Sequence, residues 1–244
     1  MQTSQNTVFI TGGSSGIGLA LAQELRRLQN TVIICGRDQE KLDAVQHQHP
    51  EIHTIRCDIT DAEDLARLVD TLQKEFPRLN MLVNNAGVQY RYSFTDGEDV
   101  LAKVDQEIGV NLTAVIKLTH MLLPMLSRQS AAAVVNVSSL LGFIPKQSAP
   151  VYCATKAAVH AFSQALRYQL ADTLVQVFEV VPPLVDTGMA EGQTGTKITP
   201  ETLVQEVVES IGKDRYEVRV GRSKGLMLLN RFFPALMESA VRGK

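Results

Sequence analysis

The chain has 244 residues, of which 45% are hydrophobic and 20% charged, and its formal net charge is −2. These values are ordinary for a soluble globular protein, and the length suits one α/β domain with a substantial core. A charge near zero, without a basic run interleaved with aromatic residues, argues against nucleic-acid binding. The polar start MQTSQNT and the absence of an 18-residue apolar run predict a cytoplasmic protein without a transmembrane segment.

The cysteine and histidine residues do not form a recognisable metal site. Cys35, Cys57 and Cys153 are odd in number and lack metal-ligand spacing, which favours reduced thiols in a cytosolic protein. The segment from His47 to His53 clusters three histidines without helical or zinc-finger spacing. We therefore expect no bound metal.

The chain opens with a predicted strand, a glycine-rich loop and a helix. The apolar run from Thr7 to Ile10 leads into TGGSSGIG and then LALAQELRRLQ, whose leucines recur at helical spacing. Glycines let a backbone approach a pyrophosphate, and the free N–H groups of a helix start bind its charge. A plain glycine-rich turn is the alternative. The position after the first strand favours nucleotide contacts from Gly12, Ser14, Ser15, Gly16, Ile17 and Gly18.

The second predicted strand, from Thr31 to Arg37, ends where the nucleotide type is selected. An acid at this point holds the ribose 2′-OH of NAD, whereas an arginine suits the 2′-phosphate of NADP. The chain has Arg37 at this point, and the acidic residue Asp38 follows one position after the expected place. We therefore predict NADP(H), with Ser14 assisting Arg37, and keep NAD(H) as the alternative. A solvated arginine without a recognition role is the simpler interpretation.

Two more strands follow. The run EIHTIRCD ends at Asp58, and Thr60 with Glu63 predicts a capping box for the next helix. The fourth strand runs into Asn84–Asn85–Ala86–Gly87, small residues that let the backbone pass close to a cofactor. The loop behind it offers four side chains at the mouth of the site, Gln89, Tyr90, Tyr92 and Phe94. Contact with the substrate is one interpretation, and simple cover of the sheet edge is the alternative.

A long helical stretch then carries Asn111 in its interior. A buried amide within a helix is costly unless it is hydrogen-bonded, so a functional role is credible. A surface or capping asparagine is the alternative.

The stretch from Ser139 to Lys156 holds the candidate chemistry. Ser139 ends the apolar run AAAVVNVSS, which predicts a buried strand, and ligands bind at the carboxyl ends of such strands. Tyr152 and Lys156 are four residues apart and share one face of the next predicted helix. A nearby ammonium favours the phenolate, so we expect Lys156 to lower the pKa of Tyr152 for general acid/base catalysis.

The remainder predicts a sixth strand, a loop, a helix and a seventh strand. Seven strands alternating with helices predict a single α/β domain over 1–244 with a doubly wound parallel sheet. The glycine-rich segment 188–198 is predicted to be a substrate lid. The basic, amphipathic extension 222–244 is expected to pack on a partner subunit or over the substrate cleft. An interfacial helix on a membrane is the alternative.

Tyr-x-x-x-Lys with Ser139 upstream, TGGSSGIG and NNAG together resemble the short-chain dehydrogenase/reductase family, from the start to about Thr187. PVYCATKAAVHAF and VVPPLV further resemble its DltE-like bacterial oxidoreductases. The resemblance implies a Rossmann-type fold and reversible hydride transfer between a nicotinamide and an alcohol or ketone. It also implies a homodimer or homotetramer.

The resemblance implies specific roles. Tyr152 would be the general acid/base, Ser139 would bond the substrate oxygen, Lys156 would hold the ribose and Asn111 would support a relay water. Asp58 and Ile59 would contact the adenine. The ribose and nicotinamide contacts would come from Asn85, Ala86, Gly87, Tyr152, Lys156, Pro182, Val185 and Thr187. The family usually has glycine where this chain has Pro183, which puts a backbone contact there in doubt.

Three other interpretations stay open. A non-catalytic dinucleotide-sensing or scaffold protein would keep the glycine loop, and a nucleotide-sugar epimerase or dehydratase also uses Tyr-x-x-x-Lys. An NAD-selective dehydrogenase would differ at Arg37. The predicted substrate walls, 89–94, 140–143 and 184–198, fit a sterol, a sugar or a small keto compound equally.

Overall fold

The computed structural model describes residues 1–95, 100–221 and 223–236. Its strands are β1 (Thr7–Thr11), β2 (Thr31–Gly36), β3 (Ile52–Arg56), β4 (Leu79–Asn84), β5 (Ala132–Val137), β6 (Val175–Val181) and β7 (Glu217–Arg219). Its α-helices are α1 (Gly16–Arg27), α2 (Gln39–Gln48), α3 (Ala62–Glu75), α4 (Leu101–Ile108), α5 (Ala114–Leu126), α6 (Pro150–Gln169), α7 (Pro200–Gly212) and α8 (Ser223–Phe232).

The strands form one parallel sheet in the order β3-β2-β1-β4-β5-β6-β7. The chain winds outward from β1 to β3 and then returns to β4 on the other side of β1. The carboxyl ends of β1 and β4 therefore flank the switch point, where open sheets of this kind bind ligands. The predicted seven-stranded, doubly wound sheet is confirmed.

Helices cover both faces of the sheet because alternate strand residues point to opposite sides. On β1, Val8 and Ile10 belong to the core cluster that also contains residues of α1, α2 and α7. Phe9 belongs to the second cluster, with residues of α3, α5 and α6. Every residue of β5 is buried. The middle of the sheet is thus a rigid support for groups at its carboxyl edge.

The start of α3 differs from the predicted capping box. Asp61 is the N-cap, and its carboxylate accepts a hydrogen bond from the backbone N–H of Asp64 at 2.8 Å. The Thr60 hydroxyl donates instead to Asp58 Oδ1 at 2.7 Å. A carboxylate one residue later takes the capping role, so the Thr60–Glu63 prediction is wrong.

The long helical stretch is interrupted by one π-helical turn, Gly109–Thr113, between α4 and α5. Within Leu101–Leu126, an 18-residue window with a mean hydropathy of 1.3 is apolar enough to cross a membrane by length and composition alone. Nearly half of it is buried inside the protein, and Leu118 and Leu122 lie in the core. Packing against the sheet accounts for its apolar character.

The described part of the C-terminal extension forms α8 and a short continuation. Five of its large apolar side chains are exposed: Leu228, Leu229, Phe232, Phe233 and Leu236. Asn230 Nδ2 donates to the Phe143 carbonyl at 3.4 Å, and Lys224 pairs with Glu206 of α7 at 3.3 Å. The prediction for Arg222 and for 237–244 lies outside the described residues.

Candidate active site

A cavity of about 740 Å³ opens at the carboxyl ends of the strands. It extends from the ends of β2 and β3 to those of β5 and β6. Most of the residues predicted for the site line it: Gly12, Ser14, Ser15, Gly16, Ile17, Arg37, Asp58, Ile59, Asn85, Ala86, Gly87, Ser139, Tyr152, Lys156, Pro182, Val185 and Thr187. Gly18 and Asn111 are not among the lining residues.

The glycine loop forms one wall of the cavity. Gly12 and Gly16 have φ of 65° and 55°, the left-handed region that favours glycine. A Cβ on Gly13 would lie 2.4 Å from Ile34 Cγ2, so the loop packs directly on β2. The first turn of α1 contains no acidic residue, and Ser15 makes no side-chain cap. This helix start therefore suits an anionic group such as a pyrophosphate.

Gly18 and Asn85 hold the loop from behind. A Cβ on Gly18 would lie 2.3 Å from Gly12 O and 2.4 Å from Asn85 Nδ2. Asn85 Nδ2 donates to Thr11 O at 2.9 Å and to Gly12 O at 3.1 Å. The sequence suggested nucleotide contacts for both residues, but Gly18 lies outside the cavity and the Asn85 amide nitrogen bonds protein carbonyls.

Two cations lie at the β2 end of the cavity, Arg37 and Lys41. Asp38 lies beside them as the N-cap of α2, accepting from the Lys41 N–H at 3.2 Å and pairing with its ammonium at 3.2 Å. These bonds to Lys41 lower the pKa of Asp38. Sequence reasoning missed Lys41, although a lysine three residues after a capping aspartate is a usable signal.

The three proposed catalytic side chains are buried and line the same part of the cavity. Ser139, the second residue after β5, accepts from the Leu141 N–H at 3.1 Å. Lys156 Nζ donates to the carbonyl of Val137, the last residue of β5, at 2.8 Å. It lies 5.7 Å from the centre of the Tyr152 ring. One strand end and one turn of α6 thus bring the three groups together.

Burial governs the electrostatics of this set. It raises the pKa of Tyr152 to about 12, against a smaller lowering effect of the hydrogen bond with Ser139. Burial also lowers the pKa of Lys156 to about 8. The direction for Tyr152 in the protein alone is opposite to the expected one, because desolvation of the phenolate outweighs the favourable contacts.

Asn111 lies in the π-helical turn and is fully buried. Its Oδ1 accepts from the Val88 N–H at 2.8 Å, and its Nδ2 donates to Val88 O at 2.9 Å and to Thr155 Oγ1 at 3.2 Å. A Cβ on Gly87 would lie 3.4 Å from Asn111 Oδ1 and 3.7 Å from Lys156 Nζ. The amide therefore ties the loop after β4 to α6 beside the ammonium, and its relay-water role stays a prediction.

A buried polar chain next to Ser139 was missed by sequence reasoning. Glu179 on β6 is fully buried; it accepts from the Ser138 hydroxyl at 2.5 Å and contacts His160 Nδ1 at 2.7 Å. The His160 ring packs edge-on against Phe143, with centroids 4.4 Å apart. Glu179 thus holds Ser138, just before Ser139, and His160 packs against Phe143, a few residues after it.

The loop after β4 differs from the expected mouth. Gln89 lines the cavity, but the Tyr90 hydroxyl bonds Gln106 and the Tyr92 hydroxyl donates to Glu107 at 2.9 Å. Phe94 is 64% exposed and lies against Tyr92. The prediction that all four side chains lie at the mouth is therefore wrong for the aromatic ones, because α4 supplies polar partners for both phenols.

The segment 188–198 borders the opposite side of the cavity through Gly188, Met189, Ala190 and Gln193. Ile198 is anchored to the end of β6, with its N–H donating to Leu184 O at 3.1 Å and its carbonyl accepting from Asp186 N at 2.9 Å. Gln193 Nε2 donates to Gln89 Oε1 at 3.3 Å. Pro182 and Pro183 both line the cavity beneath this segment.

The sheet order and the glycine loop at its switch point define a Rossmann-type α/β protein. A sequence model described as short chain dehydrogenase matches residues 6–197. The chain is 44% identical over 232 residues to an uncharacterized oxidoreductase, DltE, of Bacillus subtilis (strain 168), covering 93% of this chain and 92% of that protein. An uncharacterized oxidoreductase of Staphylococcus aureus (strain USA300) is 31% identical to this chain over 218 residues. The match covers 87% of this chain and 94% of that protein.

Two solved structures share the fold over nearly the whole of both chains. A short chain dehydrogenase from Burkholderia cenocepacia J2315 in complex with NADP has a TM-score of 0.87 at 23% identity, covering 99% of each chain. A short-chain dehydrogenase from Sphingobium yanoikuyae in complex with NADPH has a TM-score of 0.82 at 26% identity, covering 98% of this chain and 97% of its own. This chain belongs to the short-chain dehydrogenase family.

Proposed function

We propose that the protein is a nicotinamide-dependent oxidoreductase that interconverts an alcohol and a ketone. The observation that carries the proposal is the convergence of Ser139, Tyr152 and Lys156 in the cavity that also contains the glycine loop. The relatives named as oxidoreductases and the fold neighbours complexed with NADP and NADPH support it. When bound, the nicotinamide supplies or accepts the hydride.

Each side chain has a defined task in this proposal. The Tyr152 hydroxyl gives a proton to the substrate oxygen in reduction and removes it in oxidation. Ser139 hydrogen-bonds the same oxygen as negative charge develops. Lys156 stabilises the phenolate and bonds the ribose, and Asn111 positions the loop beside it. Closure of the segment 188–198 excludes water.

NADP(H) is the preferred cofactor in this proposal. Arg37 and Lys41 both line the β2 end, whereas the Asp38 carboxylate pairs with Lys41 and caps α2. Two cations beside an occupied carboxylate suit a 2′-phosphate better than a free 2′-hydroxyl. Cytoplasmic location and assembly into a homodimer or homotetramer stay predictions.

The substitution Tyr152→Phe tests the chemistry because it removes only the hydroxyl. We expect turnover of an accepted ketone to fall by about 100-fold or more, while NADPH affinity stays within about twofold. Tyr168→Phe, on the exposed side of α6, is the matched control and should keep full turnover. Full activity of Tyr152→Phe would contradict the proton-donor role. NADPH binding by the wild type without turnover of any carbonyl compound would support the sensing alternative.

The substitution Arg37→Ala tests cofactor choice. Loss of one charge-assisted contact should weaken NADPH binding by about 10-fold or more and leave NADH binding unchanged. Titration calorimetry with both nucleotides measures the two affinities, with the exposed Arg128→Ala as control. Equal loss for NADPH and NADH would remove the argument for a 2′-phosphate contact.

A further inference from the structure

The part of the cavity around Tyr152 contains a cation that the proposed reaction does not use. Lys146 lines this cavity and is half-buried. Among the described residues, no carboxylate forms an ion pair with its ammonium. Burial, with the charge of Arg91 nearby, lowers the pKa of Lys146. A partly buried cation without an acidic partner is costly unless a ligand supplies the negative charge.

The position of Lys146 is fixed by the fold. The backbone N–H of Lys146 donates to Cys153 Sγ at 3.2 Å, and Cys153 is the residue after Tyr152 on α6. The Tyr92 N–H donates to Ser148 O at 3.3 Å, which ties the loop after β4 to the loop that carries Lys146. Lys146 is therefore held in a set place relative to the phenol rather than on a free surface loop.

Gln89 offers a second donor in the same cavity. Its Oε1 accepts from Gln193, whereas its Nε2 is buried and has no hydrogen-bond partner in the described part of the chain. A buried donor without a partner is costly, so such groups usually have a ligand or a water as partner. Gln89 lines the same cavity as Lys146, and a ligand oxygen in that cavity would satisfy its Nε2.

Two acids in segments that border the cavity already have protein partners. Glu107 accepts from the Tyr90 N–H and the Tyr92 hydroxyl, and Asp186 pairs with Lys197 at 3.3 Å. Arg91 is near Lys146 but does not line the cavity. Lys146 and Gln89 thus present one positive charge and one neutral donor to the cavity, which match a singly charged anion with two oxygens.

We infer that the substrate is an oxo or hydroxy compound that also carries a carboxylate, which binds Lys146 and Gln89. This inference rests on the proposed function and deepens it. In the reduction, the carbonyl carbon accepts hydride from the reduced nicotinamide and the carbonyl oxygen accepts a proton from Tyr152. The carboxylate changes no bond and serves as a handle that orients the carbonyl group.

A panel of oxo acids paired with their amides tests the inference. The probes are 2-oxobutanoate, 3-oxobutanoate, 4-oxopentanoate and 5-oxohexanoate, each beside its neutral amide, with cyclohexanone and dihydroxyacetone phosphate added. We expect at least one acid to exceed its amide in kcat/KM by about 10-fold or more. Lys146→Gln should remove this preference by raising KM for the acid with kcat unchanged. The kcat/KM for the amide should stay within about twofold of the wild-type value. Gln89→Leu should reduce the preference by a smaller factor. Lys117→Gln, exposed on α5, is the matched control.

The outcomes separate the two proposals. Three results would overturn the carboxylate site without contradicting the proposed oxidoreductase function. They are equal turnover of acids and amides, turnover of cyclohexanone alone, and a preference for the acid that persists in Lys146→Gln. A preference for dihydroxyacetone phosphate over every oxo acid would overturn it in favour of phosphate. If no probe is reduced, calorimetry on the NADP complex decides, since absence of acid-selective binding rejects the site. Failure to bind NADPH at all would instead reject the proposed function.

Discussion

Lys156 is a fully buried cation whose ammonium donates to the carbonyl of Val137. Burial lowers its pKa to about 8 from an ordinary value of 10.5. The folded protein therefore releases this proton at a lower pH than the unfolded chain does. The buried charge costs stability at neutral pH, and the cost disappears as the lysine becomes neutral.

The substitution Lys156→Met should change how stability depends on pH. Between about pH 8 and pH 10.5 the unfolded state binds more protons at this site, so the wild type should gain stability relative to the variant. The gain approaches about 3 kcal/mol, since one pKa unit corresponds to about 1.4 kcal/mol. Urea unfolding of the ligand-free proteins across this range measures it, with the exposed Lys117→Met as control. A constant difference between wild type and Lys156→Met would show that the burial effect is absent.

Single residues also show which parts of the candidate site could be predicted from the sequence. Tyr152 and Lys156 were predictable as neighbours because residues four apart share a helix face, and Ser139 because it ends an apolar strand. The bond between Glu179 and Ser138 was not predictable, because it joins a residue of β6 to the residue just after β5, 41 positions away in the sequence. Local patterns do not reveal partners that only the strand register brings together.

At the scale of elements, α1 depends on close contact with the loop before it. Gly18→Ala should destabilise the protein by about 1–3 kcal/mol, because the methyl group would overlap Gly12 O and Asn85 Nδ2. Displacement of the loop should also weaken NADPH binding. Gly225→Ala is the matched control, since α8 has open space there, and should stabilise by up to about 1 kcal/mol. Thermal unfolding measures the stability of the two variants, and nucleotide titration measures their NADPH affinity. Wild-type stability and affinity in Gly18→Ala would contradict the close packing.

The Glu179 carboxylate connects β5, β6 and α6. Glu179→Ala should cost about 1–3 kcal/mol, because it removes the buried carboxylate that accepts from Ser138 and contacts His160. Glu217→Ala on β7 breaks a part-exposed contact with Arg219 and should cost less than about 1 kcal/mol. Denaturant midpoints of the two variants test the difference, and similar midpoints would refute it.

For the whole molecule, the doubly wound sheet and the place of the cavity follow from general rules. Alternation of apolar strands with helices indicated a doubly wound sheet, and its ligands bind at the switch point. The orientation of Tyr90 and Tyr92 did not follow, because their partners Gln106 and Glu107 lie on a helix whose packing depends on the finished core.

Nucleotide binding should stabilise the whole chain by mass action. At a free NADPH concentration about 100 times its Kd, the free energy of unfolding should rise by about 2.7 kcal/mol. Tyr152→Phe should show the same rise, since its binding is preserved, whereas Arg37→Ala should need about 10-fold more NADPH to reach it. Denaturant unfolding at several NADPH concentrations provides the measurement. No change in the wild type would mean that NADPH does not bind the folded state.

The anchoring of Ile198 at the end of β6 has a mechanical consequence. Because two backbone hydrogen bonds fix Ile198, we expect motion of the segment 188–198 to be confined to the residues before it, where Gly192 and Gly195 have positive φ. The Gln193–Gln89 bond is the amide link across the entrance, and a single hydrogen bond contributes about 1 kcal/mol. In the proposed lid role, opening would break this bond and leave the sheet intact, so exchange of ligands would not require global unfolding.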